Sequence, residues 1–155
     1  MAIATFAAGC FWGIEVQFRK ITGVVSTRVG YTAGTSDAPT YKSVCTGTTG
    51  HAEAIEITFD DNIISYAALL DHFWRIHNPT TLNRQGPDTG TQYRSAIFYH
   101  DDEQKDIATS SKQQLINEGQ YQNPIVTEIT QACFFHPAEE YHQCYLEKKG
   151  LGSCH

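Results

Sequence analysis

Hydrophobic and polar positions along this 155-residue chain change period several times. The stretch "IATFA", Ile3 to Ala7, is short and mostly apolar, and predicts a strand that runs into Gly9 and Cys10. Phe11, Ile14, Phe18 and Ile21 then recur at helical spacing, with Gly23 as a stop signal. "VVSTRVGYT" is the next predicted strand, and "GTSDAPT" after it is loop chemistry. "HAEAIEITF" alternates with period two, as a strand with one buried face does. Ser65 caps a predicted helix carrying Leu69, Leu70, Phe73 and Ile76, which Pro79 closes. "NPTTLNRQGPDTGTQ" has no periodicity and reads as a long loop of the kind that carries function in compact domains. "YRSAIFYH" predicts a strand, Asp101 or Asp102 opens a polar helix ending near Gly119, and "PIVTEITQA" is a last strand. Pro137 sits where a final helix would begin.

The order strand, helix, strand, strand, helix, strand is that of a split βαβ unit. The fold class is therefore α+β: a ferredoxin-like core, a mixed sheet with helices packed on one face, plus an appended strand and helix. No repeat or low-complexity segment interrupts the chain, so residues 1–155 read as a single domain.

Composition narrows the function. The net charge of −6 is spread over mixed sequence without a basic cluster, which argues against nucleic acid as a partner. There is no apolar run long enough for a membrane span, and "MAIATFAAGC" lacks the basic start and apolar block of a secretory signal; a soluble, cytoplasmic protein is expected. Cys10, Cys45, Cys133, Cys144 and Cys154 are an odd set, so a fully paired disulfide framework is impossible.

Two residues stand out chemically. Cys10 follows a strand and opens a helix, where the positive helix end favours a thiolate, and the flanking Gly9 and Gly13 would let a substrate approach closely. An inert buried thiol is the plainer alternative. Glu53 shares a strand face with Ile55, Ile57 and Phe59, which puts a carboxyl among apolar side chains and raises its pKa, as a proton donor at neutral pH requires. A water-facing Glu at the strand start is equally open. Tyr31, Tyr41 and Tyr93 lie beside loops, and Phe11 and Trp12 open the first helix; either set could fill core or face a substrate. Cys133, His136, His142, Cys144, Cys154 and His155 are ligand types without zinc spacing, and Cys10 with His51 could in principle make a cysteine hydrolase.

"GCFWG", "VGYTAG", "YKSVCTGTTGHAEAIEITF", "FWRIHNPTTLNRQGPDTGTQYRS" and "AEEYHQ" occur in order across nearly the whole chain. Together they resemble the A-type peptide-methionine sulfoxide reductases, enzymes of protein repair under oxidative stress. The resemblance implies Cys10 as the nucleophile on the sulfoxide sulfur and Glu53 as the acid for its oxygen. It implies further that Tyr41 and Tyr93 hydrogen-bond that oxygen, that Asp88 holds the polar side of the site, and that Phe11 and Trp12 enclose the S-methyl group. The implied product is a cysteine sulfenic acid, resolved by a second cysteine and recycled by thioredoxin or another dithiol, with no metal, flavin or nicotinamide bound and only the S epimer accepted. Cys154, twelve residues beyond His142, stands where the family keeps its first recycling cysteine. Residues 146–155 are expected as a flexible tail that carries it, with Cys144 inside the final helix as a relay, and with Cys45 and Cys133 as buried, reduced thiols. A monomer is expected.

Overall fold

The computed structural model describes residues 1–149. Strand β1 (Ala2–Ala8) leads into helix α1 (Phe11–Arg19), and β2 (Val24–Thr32) follows. A short helix α2 (Tyr41–Cys45) then precedes β3 (Ala52–Phe59) and helix α3 (Tyr66–Arg75). The long loop holds a small hairpin of β4 (Arg84–Gln85) and β5 (Asp88–Thr89) before β6 (Ser95–Tyr99). Helix α4 (Asp102–Glu118), β7 (Glu128–Gln131), β8 (His136–Pro137) and helix α5 (Tyr145–Lys148) complete the described chain.

The six-stranded sheet has the order β7-β6-β1-β3-β2-β8. Its inner four strands and helices α1 and α3 are the expected ferredoxin-like core. Helix α4 and β7 are the appended pair, and β7 runs parallel to β6 while the other neighbours are antiparallel. One sheet face, with Phe6, Val29, Ile55, Ile57 and Ile97, packs in a single cluster with Phe11, Ile14 and Phe18 of α1, Leu69, Leu70 and Phe73 of α3, and Ala108 and Leu115 of α4. The other face carries Ala7, Ala52, Ala54, Ala96 and Phe98, and is covered by Phe135 from the loop after β7. Burial of this apolar surface supplies most of the driving force for the fold.

The helix signals were placed where polar side chains can satisfy the open helix ends. Ser65 accepts from the Ala68 N–H and Asp101, rather than Asp102, from the Gln104 N–H. Gly119 ends α4 in the left-handed conformation that glycine adopts without strain. Helix α1 stops at Arg19, two residues short of Ile21.

Three expectations need correction. "PIVTEITQA" is strand only over Glu128–Gln131, because the backbone groups just before it bond elsewhere: the Val126 N–H to Pro79 and the Thr127 carbonyl to Lys112. Pro137 does not begin a helix. His136 and Pro137 pair with Tyr31 and Gly30 as an edge strand, a position that tolerates the missing N–H of proline. Gly30 permits the approach, since a Cβ there would lie 2.3 Å from the His136 carbonyl oxygen. Cys144 is consequently not inside a long helix; it is the left-handed residue (φ 54°) before the four-residue α5. Of the segment expected as a tail, Leu146 is buried and 146–148 are helical, while 150–155, with Cys154, lie outside the described residues.

Candidate active site

Cys10 is half-buried at the N-cap of α1, one residue beyond the tight Gly9 turn (φ 96°) that closes β1. The sulfur therefore sits at the positive end of a nine-residue helix. The flanking glycines also meet packing needs. A Cβ at Gly9 would lie 2.9 Å from the Gln85 side chain of the long loop, and Gly13 is buried within α1.

Glu53 meets this turn from β3. It lies opposite Tyr31 and is 1% exposed, so the period-two argument placed it correctly on the apolar face. The Phe11 N–H donates to its Oε1 at 3.2 Å. Its Oε2 is buried with no hydrogen-bond partner among the described residues. Burial pushes the carboxyl up to about 8; the Phe11 N–H opposes this and the Asp88 charge adds to it. At neutral pH Glu53 is thus a carboxylic acid with one oxygen fixed and the other available to donate.

The long loop and α2 complete the surroundings. The Tyr93 hydroxyl is raised by burial and then by the charges of Glu53, Cys45, Asp88 and Cys10, which places these groups around it. Burial likewise raises Tyr41. Both the Tyr41 and Tyr93 hydroxyls lie close enough to the Cys45 thiol to oppose the rise that burial gives it, and the Glu53 charge acts on both phenols. Cys45 and Cys133 are exposed rather than buried, contrary to expectation. Cys45 lies on the outward side of a five-residue helix, and Cys133 in the loop over the back of the sheet, beside the Thr32 hydroxyl.

Aromatic rings form the apolar side. Phe11 is almost wholly buried against Tyr31, Tyr41 and His142. Trp12 is partly exposed, stacks on Tyr145 with ring centroids 4.0 Å apart, and flanks Tyr41. Sequence reasoning missed the residues that hold these rings. Glu139 receives the Tyr31 hydroxyl at 3.0 Å on Oε1 and the Tyr41 N–H at 3.1 Å on Oε2. Burial alone would raise this carboxyl, but its own backbone N–H, the Tyr41 and Tyr31 hydrogen bonds and the electrostatic pull of His142 together hold it below the usual range. His142 accepts the Trp12 indole N–H. Gln143 clamps both backbone groups of Val29. The trace of this in the sequence was the polar run "AEEYHQ", one of the stretches that carry the family resemblance, in the segment expected to be the final helix.

Cys144, at the start of α5, packs against α1 beyond Cys10. Its N–H donates to the buried Glu15 carboxyl at 2.6 Å, and burial together with the Glu15 charge raises its thiol. His51 uses both ring nitrogens, accepting the Gly34 N–H at Nδ1 and binding the Ser36 carbonyl at Nε2, and so is engaged away from Cys10. Among the described residues, no three His, Cys, Asp or Glu side chains converge as a metal set. No helix among them is long and apolar enough to cross a membrane.

The chain is similar to known proteins over nearly its whole length. The family model described as peptide methionine sulfoxide reductase matches residues 2–155. The chain is 59% identical over 152 residues to the peptide methionine sulfoxide reductase MsrA of Methanothermobacter thermautotrophicus, covering 98% of this chain and 90% of that one. It is 54% identical over 155 residues to MsrA of Acidobacterium capsulatum, covering 100% and 99%. The crystal structure of Mxr1 from Saccharomyces cerevisiae in reduced form superposes with a TM-score of 0.90 at 41% identity, over 96% of this chain and 86% of that one. Mxr1 in complex with Trx2 superposes at 0.65 and 27% identity, over 93% and 84%.

Proposed function

The chain belongs to the peptide methionine sulfoxide reductase family, and on that premise we propose how its residues divide the reaction. The enzyme reduces methionine sulfoxide to methionine in a thiol-dependent reaction, without a bound cofactor. A sulfoxide oxygen leaves poorly until it is protonated, so the site must offer a nucleophilic sulfur and an acid together. Cys10 is the nucleophile, favoured as thiolate at the start of α1. Glu53 delivers its proton to the sulfoxide oxygen from Oε2, while the Phe11 N–H holds Oε1. Tyr41 and Tyr93 donate to the same oxygen, and Asp88 on the polar side of the site adds its charge to the burial that keeps Glu53 protonated. Phe11 and Trp12 receive the S-methyl group. The oxygen passes to Cys10, which becomes a sulfenic acid as the substrate sulfur is reduced.

Resolution requires a second thiol: its sulfur displaces water from the sulfenic acid and leaves a disulfide. We assign this to Cys154, on the resemblance of its spacing to the family pattern. Cys144 is the lesser candidate, a relay at most, because its raised thiol is a poor nucleophile at neutral pH. A thioredoxin-type dithiol then reopens the disulfide, as the complex of yeast Mxr1 with Trx2 suggests for a relative. A cytoplasmic monomer accords with this role.

The observation that carries the assignment is the buried, half-engaged Glu53 bonded to the first amide after Cys10. The experiment is reduction of the two sulfoxide epimers of a methionyl peptide by dithiothreitol, assayed separately. Turnover of the S epimer alone is expected, and equal turnover of both would overturn the pocket assignment.

A further inference from the structure

His142 is fully buried, yet it belongs to neither the nucleophile nor the acid. Its ring lies 5.3 Å from Phe11 and 4.4 Å from Tyr41, between two residues of the proposed substrate pocket. The Trp12 indole N–H donates to its Nδ1 at 2.9 Å. Trp12 has one donor and no acceptor, so Nδ1 must be unprotonated and the ring's single proton must sit on Nε2. That Nε2 is buried without a hydrogen-bond partner among the described residues. Burial lowers the pKa of His142, which keeps the ring neutral and the acceptor intact.

A phenylalanine would fill this space and leave no polar atom stranded, so packing alone does not call for histidine. What only the histidine supplies is the acceptor for Trp12. The indole is otherwise held by stacked ring contacts with Tyr145, Tyr41 and His142 itself, which fix its plane but leave its direction within that plane free. One directional bond removes that freedom.

We propose that His142 is a positioning residue that locks the orientation of Trp12 through Nδ1, and so sets the shape of the methyl pocket from the C-terminal segment. The role rests on the reading of Trp12 as a pocket wall. Its effect falls on substrate fit: a misoriented wall lets the sulfoxide sulfur sit off the line of Cys10.

The test combines kinetics with the indole N–H resonance of Trp12 in nitrogen-15 labelled protein, using Trp74, whose N–H donates to Ser111, as the internal control. His142→Phe should raise KM for methionine sulfoxide about tenfold and shift the Trp12 resonance toward that of a solvent-exposed indole. His142→Asn places an amide oxygen near the former Nδ1 and should restore both within about twofold. Trp12→Phe should reproduce the KM rise without touching His142, and adding His142→Phe to it should cost little more. An unshifted Trp12 resonance in His142→Phe, or equal KM increments from His142→Phe in the wild-type and Trp12→Phe backgrounds, would overturn the positioning role. A shifted resonance together with an unchanged KM in Trp12→Phe would instead strike the pocket reading on which the role rests.

Discussion

The N–H of Phe11 donates to Oε1 of Glu53 at 3.2 Å, tying the first helical amide after the nucleophile to the buried acid. That bond ties β3 to the start of α1 beside Cys10. It leaves Oε2, buried without a partner among the described residues, as the oxygen proposed to donate the proton.

Glu53→Gln keeps the shape and the Phe11 bond but removes the proton. Single-turnover formation of methionine should slow by about a hundredfold or more, with little change in substrate affinity. The wild-type rate should fall as pH rises through about 8, where the carboxyl ionises, and the variant should lack that limb. Stopped-flow measurement across pH 6 to about 9 checks both; a variant that matches wild type makes the carboxyl structural.

The same raised pKa predicts a stability effect. Between about 4.5, its ordinary value, and about 8 the folded protein holds a proton on Glu53 that the unfolded chain has released. Stability from this group is full below the lower value and is lost as pH rises toward the upper one, at about 1.4 kcal/mol per unit of difference. Relative to wild type, Glu53→Gln should therefore gain thermal stability as pH increases from about 5 to about 8. Calorimetric melting of the pair over that range reads the difference, and parallel curves would show that the carboxyl is not buried as a neutral acid.

Trp12→Ala removes the partly exposed wall and its stack on Tyr145. KM should rise and kcat should fall together, since the sulfur is both held less well and aimed less well. Steady-state kinetics on the S epimer separates these effects; a change in neither would show that Trp12 stands outside the pocket.

Much of this was legible in the sequence because it rests on local rules. The period-two run from Ala52 to Phe59 set Glu53 on the core face, and the strand-to-helix switch set Cys10 at a helix start. What was not legible depends on contacts between distant segments. Pro137 looked like a helix opener by itself; only the presence of Gly30 on β2, more than a hundred residues earlier, makes an edge strand there possible. The bonds of Glu139 to Tyr31 and Tyr41, and of His142 to Trp12, likewise join positions that share no periodicity. Cys45 read as a core thiol because most unpaired cysteines are, yet α2 turns it outward toward the tyrosine hydroxyls.

Recycling separates the remaining cysteines. Cys154→Ser under thioredoxin should release one methionine per chain and then stall, whereas Cys144→Ser should continue to turn over. Quantifying methionine against enzyme under both conditions decides it. Sustained turnover of Cys154→Ser, with a Cys10 to Cys144 disulfide in peptide maps of the wild type, would move the resolving role to Cys144.

The central claim, that Cys10 takes the oxygen directly, is tested by mass spectrometry of the enzyme after one turnover on a methionine sulfoxide peptide without reductant, in the Cys154→Ser and Cys144→Ser double variant. The account predicts one methionine formed per chain and one oxygen gained on Cys10, trapped as the sulfenic acid, with neither event in the further Cys10→Ser variant. Methionine formed in the absence of the Cys10 sulfur, or an oxygen found on another cysteine, would contradict it.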